Sequence, residues 1–290
     1  MAEVMAKKES RELGSGKKRK ARGRRSARNP QQAYGFDVEF SSCATRIVMR
    51  DVLANNDYDI ALFSRVGLHC YNFQQGTNYK FLSWEKYNTR FTSNYDFYIT
   101  FEAMDPVRNS VVSFQTLFSD VGRVVADTYV IDMWRTFACR LRGGNKALED
   151  EWDVDKVIDQ FYTGPMPKWL SDDGLASHNK KYYVVQESEL HENDWLHTFM
   201  ELAFSSKANR GLVASPPLEI NKVVVETKED YIIEAHEKLK AKNAIFYICY
   251  KYKGVSSEGF AGDHQSIVRK TMDGRPGHMS LEVASQITKR

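Results

Sequence analysis

The absences in this sequence narrow its chemistry first. No stretch of the 290 residues approaches the roughly 18 consecutive apolar residues of a membrane span. The N-terminus has no apolar secretory core, so an intracellular protein of the nucleus, the cytoplasm or both is expected, with no membrane partner. Cysteines number four, Cys43, Cys70, Cys139 and Cys249, with no C-x-x-C pair. They read as reduced, mostly buried thiols. H-E-x-x-H is missing: His191 precedes Glu192, but the next histidine is His197 and no third ligand is spaced to complete a metal site. There is no Gly-rich phosphate loop, and in "GVSSEG" (254–259) Glu258 stands where a serine-hydrolase elbow needs glycine. Glu226, Glu229 and Asp230 cluster at a strand end, which reads as a solvated rim. No enzyme activity, cofactor or metal is expected.

What is present is unevenly charged. The net charge is +3, yet the first thirty residues alone hold eleven Lys and Arg against three Glu. The remainder is mildly acidic, so nucleic-acid binding by the body is not expected. Residues 1–33 are low-complexity and nearly free of aromatics, a composition that cannot offset the entropy of ordering. Within this tail Lys17, Lys18, Arg19, Lys20, Arg22, Arg24 and Arg25 resemble a nuclear-import run read by an import receptor, or a basic arm that contacts nucleic acid.

Hydrophobic residues make up 42% of the chain, enough for a sizeable core. Residues 57–73 predict an amphipathic helix, with Leu62, Val66, Cys70 and Phe73 on one stripe, Phe63 beside it and Gly76 ending it. Strands are predicted at 79–92, 95–104, 111–118 and 134–142. In the second, Tyr95, Phe97, Ile99, Phe101 and Ala103 alternate with Asp96, Tyr98, Thr100 and Glu102, one face buried and one wet. In the last, Phe137, Cys139 and Leu141 share a face. A short helix is expected at 154–161, capped by Asp153. The order then repeats: a helix at 193–204 capped by Asn193, then strands at 218–227, 244–253, 265–272 and 278–284.

Two stretches carry a resemblance. "SRVGLHCYNFQQGTNYKF" (64–81) resembles the long helix and following strand of plant cystatins. Ser64 to Leu68 stand in that helix's Ala-Arg-Phe-Ala-Val stretch, Asn72 in its Asn place and Phe81 in its Phe place. "YDFYITFEAMD" (95–105) resembles the cystatin strand Tyr-Tyr-Leu-Thr-Leu-Glu-Ala, matching directly at Tyr98, Thr100, Glu102 and Ala103. Together with "SFQT", "ESELHENDWLHTFMELAF" and "LEINKVVVETKE", these stretches look like an uncharacterised plant family of the cystatin/monellin superfamily, expanded in mustard-family plants. Cystatins block papain-like proteases with an N-terminal Gly, a Gln-x-Val-x-Gly hairpin tip and a Pro-Trp hairpin. The resemblance places that tip on Arg90, Phe91, Thr92, Ser93 and Asn94. Here Arg stands for Gln, Thr for Val and Asn for Gly, so the motif is absent. Gly35 lies too far upstream for the Gly role. Trp134 has no preceding Pro and reads as a core residue.

The fold expected is α+β: two tandem cystatin-like units, residues 34–145 and 181–290, each an amphipathic helix packed on an antiparallel sheet. A disordered basic tail (1–33) precedes them and a connector (146–180) joins them. The function expected is a non-catalytic protein-interaction module with the hairpin tip as its site. The first alternative is a cysteine-type endopeptidase inhibitor with a papain-like protease as partner. The second is a nuclear nucleic-acid-associated protein acting through the tail. A fluorescent fusion of residues 1–33 is expected to concentrate in nuclei, and Ala at Lys17, Lys18, Arg19 and Lys20 to disperse it. Even distribution of the unmutated fusion would refute the import reading.

Overall fold

The computed structural model describes residues 35–37, 45–49, 58–91, 93–126, 129–144, 152, 158–170, 181–208, 216–228, 234–254 and 261–286. The basic run at 17–25, Cys43, Asp153, Glu229 and Asp230 lie outside them. The first run of elements is β1 (Thr45–Met49), α1 (Tyr58–Gln75), β2 (Lys80–Phe91), β3 (Tyr95–Asp105), β4 (Ser110–Ala126) and β5 (Tyr129–Leu141). The one-turn helix α2 (Gln160–Thr163) follows. The second run is β6 (Tyr182–Val184), α3 (Glu187–Glu192), α4 (Trp195–Lys207), β7 (Leu218–Glu226), a 3-10 turn (Ala235–Lys240), β8 (Ala244–Tyr252), β9 (Gly262–Thr271) and β10 (Met279–Gln286). The class is α+β. The described strands form one antiparallel sheet, ordered β1-β2-β3-β4-β5-β10-β9-β8-β7-β6. No helix among the described residues is long and apolar enough to cross a membrane.

Helical spacing explains α1. Leu62, Phe63, Val66 and Cys70 fall on one face and are buried. Burying a large apolar side chain of this kind contributes roughly 1.5–3 kcal/mol. Gly67 lets the helix lie close on the sheet, since a Cβ there would stand 2.8 Å from Thr116 Cβ on β4. The helix stops at Gly76, whose φ of 64° is left-handed. Asn72 then fixes the exit: its Oδ1 accepts from the Tyr79 amide at 3.0 Å and its Nδ2 donates to the Tyr79 carbonyl at 2.9 Å.

The last strands of the two runs, β5 and β10, pair in register from Met279↔Thr136 to Gln286↔Tyr129. Helices α1 and α4 therefore lie on one face of one sheet, over a shared core that includes Phe101, Phe118, Trp134, Phe199, Phe246 and Leu281. Polar ties reinforce the join. Arg65 of α1 donates to Glu201 of α4 at 3.0 Å. Gln74 at the end of α1 accepts from the Gly277 amide at 2.6 Å and donates to the Arg275 carbonyl at 3.0 Å, gripping the β9–β10 turn. Arg123 of β4 holds the buried Asp132 of β5 at 2.8 Å and also donates to the Ser206 carbonyl at the end of α4 at 3.1 Å.

Several expectations need correction. The second face of β3 is wet only at Glu102: Asp96, Tyr98 and Thr100 are buried. Phe36 packs edge-on against Tyr98 at 5.3 Å, within a second-face cluster that includes Leu117 and Phe137. Phe137 and Cys139 do not share a face. A bulge opposite Leu117 and Phe118 sends Phe137 to the back while Cys139 joins the helix-side core, and Leu141 is exposed. Asn193 does not cap the second long helix. It closes α3, donating to the Glu189 carbonyl, and its Oδ1 takes the Trp195 indole N–H at 3.0 Å. Asp194 is the N-cap instead. Of the helix expected at 154–161, residues 154–157 lie outside the described residues; the described turn α2 is capped by Asp159, which accepts from the Phe161 amide. Glu226 is not on a solvated rim; it is buried and accepts from Tyr247 Oη at 2.5 Å. The described stretch 158–170 does not only link: Ile158, Tyr162 and Trp169 pack on the back of β7, β8, β9 and β10.

The close approach at Gly67 is testable by urea unfolding. Gly67→Ala is expected to cost about 1–3 kcal/mol, because Thr116 belongs to a paired strand and cannot withdraw freely. Gly76→Ala, which meets nothing within 4 Å, should cost only about 1 kcal/mol through its positive φ.

Candidate functional site

The β2–β3 hairpin brings together the residues singled out from sequence. Arg90 and Phe91 end β2, Ser93 and Asn94 lead into β3, and Thr92 lies outside the described residues. Arg90 does not reach outward. Its Nη2 holds Asp96 Oδ2 at 3.0 Å and its guanidinium lies 5.5 Å from the Tyr98 ring centre. Asp96 also accepts from Ser119 Oγ at 2.6 Å, so one buried carboxylate pins β2, β3 and β4 at the base of the tip.

What projects is aromatic. Phe91 is 65% exposed and Tyr95 43%, their rings 5.8 Å apart. Tyr95 pairs with Asp120, but β4 runs on to Ala126 and turns into β5, so the next ribbon forms a ledge beside the tip. That ledge carries Val124 and Val125, both exposed. A shallow cavity of about 400 Å³ lies between Phe91, Tyr95 and the Val121–Gly122 bulge. In an antiparallel meander the β2–β3 and β4–β5 turns fall at the same end of the sheet. Exposed apolar side chains are thereby gathered on one rim. Trp134 takes no part: it is buried in the helix-side core.

A second concavity lies between the C-terminal half of α1, the start of β2 and the α3–α4 junction. It encloses about 750 Å³. Phe73, Trp195 and His69 form walls; Arg65, Lys80, Lys240 and Lys242 stand around it with Glu192 and Asp194. His69 stacks on Trp195 at 4.5 Å, and its Nε2 is buried with no hydrogen-bond partner. Burial pushes this imidazole well below its ordinary pKa, so it is neutral. Lys270 of β9 is fully buried and its Nζ also has no hydrogen-bond partner. The Nζ lies 4.0 Å from the Phe73 ring centre and 5.6 Å from that of Trp195. Burial lowers its pKa to about 7.

Sequence reasoning passed over this pair. The available signal was strand arithmetic: Lys270 stands two residues from Val268, so both face the core. The histidines that were weighed, His191 and His197, lie in α3 and α4. Among the described residues no group of three His, Cys, Asp or Glu side chains could hold a metal ion. The thiols are poor nucleophiles, since burial pushes Cys70 up to about 12 and Cys139 well above its ordinary value.

The Lys270 environment predicts a pH effect with a fixed sign. The amine has an ordinary pKa of 10.5 and falls to about 7 in the fold. Below about pH 7 it is charged in both states and the whole cost of burying that charge is present. Between about pH 7 and 10.5 the folded amine is neutral while the unfolded one keeps its proton, so the cost fades as pH rises. Lys270→Met is expected to raise the melting temperature at pH 6, and its advantage over the unmutated chain to shrink steadily toward pH 10. A constant difference across that range would mean the amine is not titrating.

Comparison with known proteins accords with this architecture. Residues 166–281 match the family model described as Protein MS5. The UPF0725 protein At5g63820 of Arabidopsis thaliana is 46% identical over 252 residues, covering 87% of this chain and 87% of that protein. UPF0725 protein At4g29550 of the same plant is 38% identical over 266 residues, covering 88% and 72%. The crystal structure of MS5 from Brassica napus superposes with a TM-score of 0.59 at 26% identity, covering 81% of this chain and 100% of that one. With nearly nine-tenths of its length aligned at close to half identity, the chain belongs to the Protein MS5 (UPF0725) family of plants.

Proposed function

We propose that this chain is a non-catalytic protein-interaction module that docks its partner at the end of the sheet where the β2–β3 and β4–β5 hairpins meet. The observation that carries this reading is the exposed pair Phe91 and Tyr95 beside Val124 and Val125. Aromatic anchors on a rigid backbone supply contact area at low entropic cost and dominate the energetics of many interfaces. We also propose that each strand–helix–strand run is a cystatin-like unit, residues 34–145 and 181–290. Support comes from the element order, with one long helix laid over four antiparallel strands in each run. The connector and the β5–β10 pairing would then join the two units.

An inhibitor of papain-like proteases is the second reading, favoured by one observation: two hairpin turns share one end of the sheet, as a wedge requires. Three features count against it. Phe91 rather than an apolar Val-x-Gly turn projects there. Trp134 is buried. Gly35 is held on the back of β3, where a Cβ would overlap the Tyr98 ring. Arg90 favours neither reading, since Asp96 already meets its charge.

Replacing Phe91 with a photoreactive benzoylphenylalanine and irradiating in plant extract is expected to give a discrete cross-linked protein. The same probe at Val107, 91% exposed at the opposite end of the sheet, should not, and Tyr95→Asp should abolish the adduct. Identical adducts from both positions, or none from position 91, would overturn the docking reading. Nanomolar inhibition of papain that disappears in Phe91→Ala would make the tip an inhibitor instead.

A further inference from the structure

We propose that the open edge of β4 at residues 121–126 pairs with the same edge of a second copy of this chain, joining two sheets across a two-fold axis. This rests on the docking reading of that end of the sheet and names the partner.

Strand pairing defines the edge. β3 pairs with β4 from Ser110 to Asp120 and begins there, at Tyr95. β4 runs on to Ala126, and β5 pairs with it on the other side from Gly122 to Ala126. Residues 121–126 are therefore held as a strand that has, among the described residues, no neighbour on the β3 side. Alternate residues of an antiparallel strand turn N–H and C=O to the same side, so about half of these backbone groups face the gap. Exposed edges are commonly blunted by Lys or Pro. Here the run is Val-Gly-Arg-Val-Val-Ala. Its one charge is turned away from the gap, since Arg123 holds Asp132 and the Ser206 carbonyl. The bulge between Asp120 and Gly122 sits at the base of the run, and beyond it the pairing with β5 is unbroken.

The gap has one closed end. The shallow cavity of about 400 Å³ lies where β3 gives out, between Phe91, Tyr95, Val121 and Gly122. Tyr95 is two residues from Phe97, whose ring lies 5.1 Å from that of Phe63 on α1, and Phe91 stands opposite Tyr95. Arg123 reaches the end of α4, and Val125 is two residues on. Phe91, Tyr95 and Val125 therefore share the helix side of the sheet.

An occupant of this gap must be extended, apolar and in need of an edge. The same six residues of a second copy meet all three conditions. A two-fold axis normal to the sheet runs the two strands antiparallel and keeps their helix sides together. The turn end of each run then reaches the hairpin tip of the other copy, and Val125 of one lies beside Phe91 and Tyr95 of the other. An axis at Val124 sets Arg123 opposite Val125 of the second copy, whereas an axis at Arg123 would oppose two guanidiniums, so charge selects the first register. A strand from an unrelated protein would satisfy the backbone of one edge. A second copy satisfies two edges and two apolar ends in one contact.

The test is sedimentation of the purified full chain between about 1 and 100 μM, with benzoylphenylalanine at position 91 reporting the geometry. A monomer–dimer equilibrium is expected in that range. Val125→Lys should weaken it at least about tenfold, and Val107→Lys, at the opposite end of the sheet, should leave it within about twofold. Thermal melting checks the fold of Val125→Lys, a position that is 69% exposed. Irradiating the purified chain should give an adduct of two copies, linked through the β4–β5 ribbon. A monomer at every concentration, a dimer untouched by Val125→Lys, or a linkage elsewhere would overturn the proposal. An adduct formed only in plant extract, with a different protein, would overturn the second copy as partner and leave the docking reading standing. Absence of any adduct in both settings would overturn both.

Discussion

The antiparallel pairing of β5 with β10 is the constraint on which the rest of the molecule depends. Each is the last strand of its run, and each would otherwise be an open edge inviting association. Pairing them turns two sheets into one and forces both long helices onto the same face. The helices then touch, and the core beneath them is continuous. That single core explains why Gln74 of the first run can grip the β9–β10 turn of the second, and why Arg123 can reach the end of α4. The cavity beside Trp195 is a further consequence, since it exists only where α1 and the α3–α4 junction are held side by side.

Buried charge is handled in two ways in this fold. Most buried ions are met: Asp132 by Arg123, Asp96 by Arg90 and Ser119, and Lys238 by Thr227 at 2.6 Å. The two Arg–Asp pairs tie strands to their neighbours, and removing either member of a pair would leave an uncompensated charge. Lys270 stands apart, with ring faces but no hydrogen bond. A quadrupole offsets only part of the cost of desolvating an ammonium, and for that reason its proton is loosely held.

Family membership and geometry address different questions. The relatives establish that this chain shares an architecture with plant MS5 and UPF0725 proteins. Their names specify no reaction, so function has to be argued from sites. Two surfaces of contrasting character emerge. The hairpin end presents exposed aromatic and aliphatic side chains around a shallow hollow, suited to a macromolecule. The helix-pair cavity is concave and aromatic, and Arg65, Lys80 and Lys240 at its rim are paired with Glu201, Asp194 and Glu237.

Sequence by itself determined the two long helices and the four strands after each, with much of the inward-facing set, but did not mark β1, β6 or α3. Helical spacing in 57–73 and alternation along β3 are local properties, imposed by 3.6- and 2-residue periods. The stop at Gly76 and the placement of 93–94 between two strands follow from local chemistry as well. Tertiary structure alone decided the rest. Period two says which residues of β3 share a face, but not that a distant Phe36 covers the supposedly wet one. A bulge displaced Phe137 because an extra residue in one strand is invisible without its partner. Arg90 read as part of the tip because its carboxylate, Asp96, becomes a neighbour only when the hairpin closes. Asn193 read as a cap because its competing bonds to Glu189 and Trp195 depend on the preceding helix. Lys270 and His69 are 201 positions apart in the chain, and only the joining of β5 to β10 sets them against the same aromatic wall.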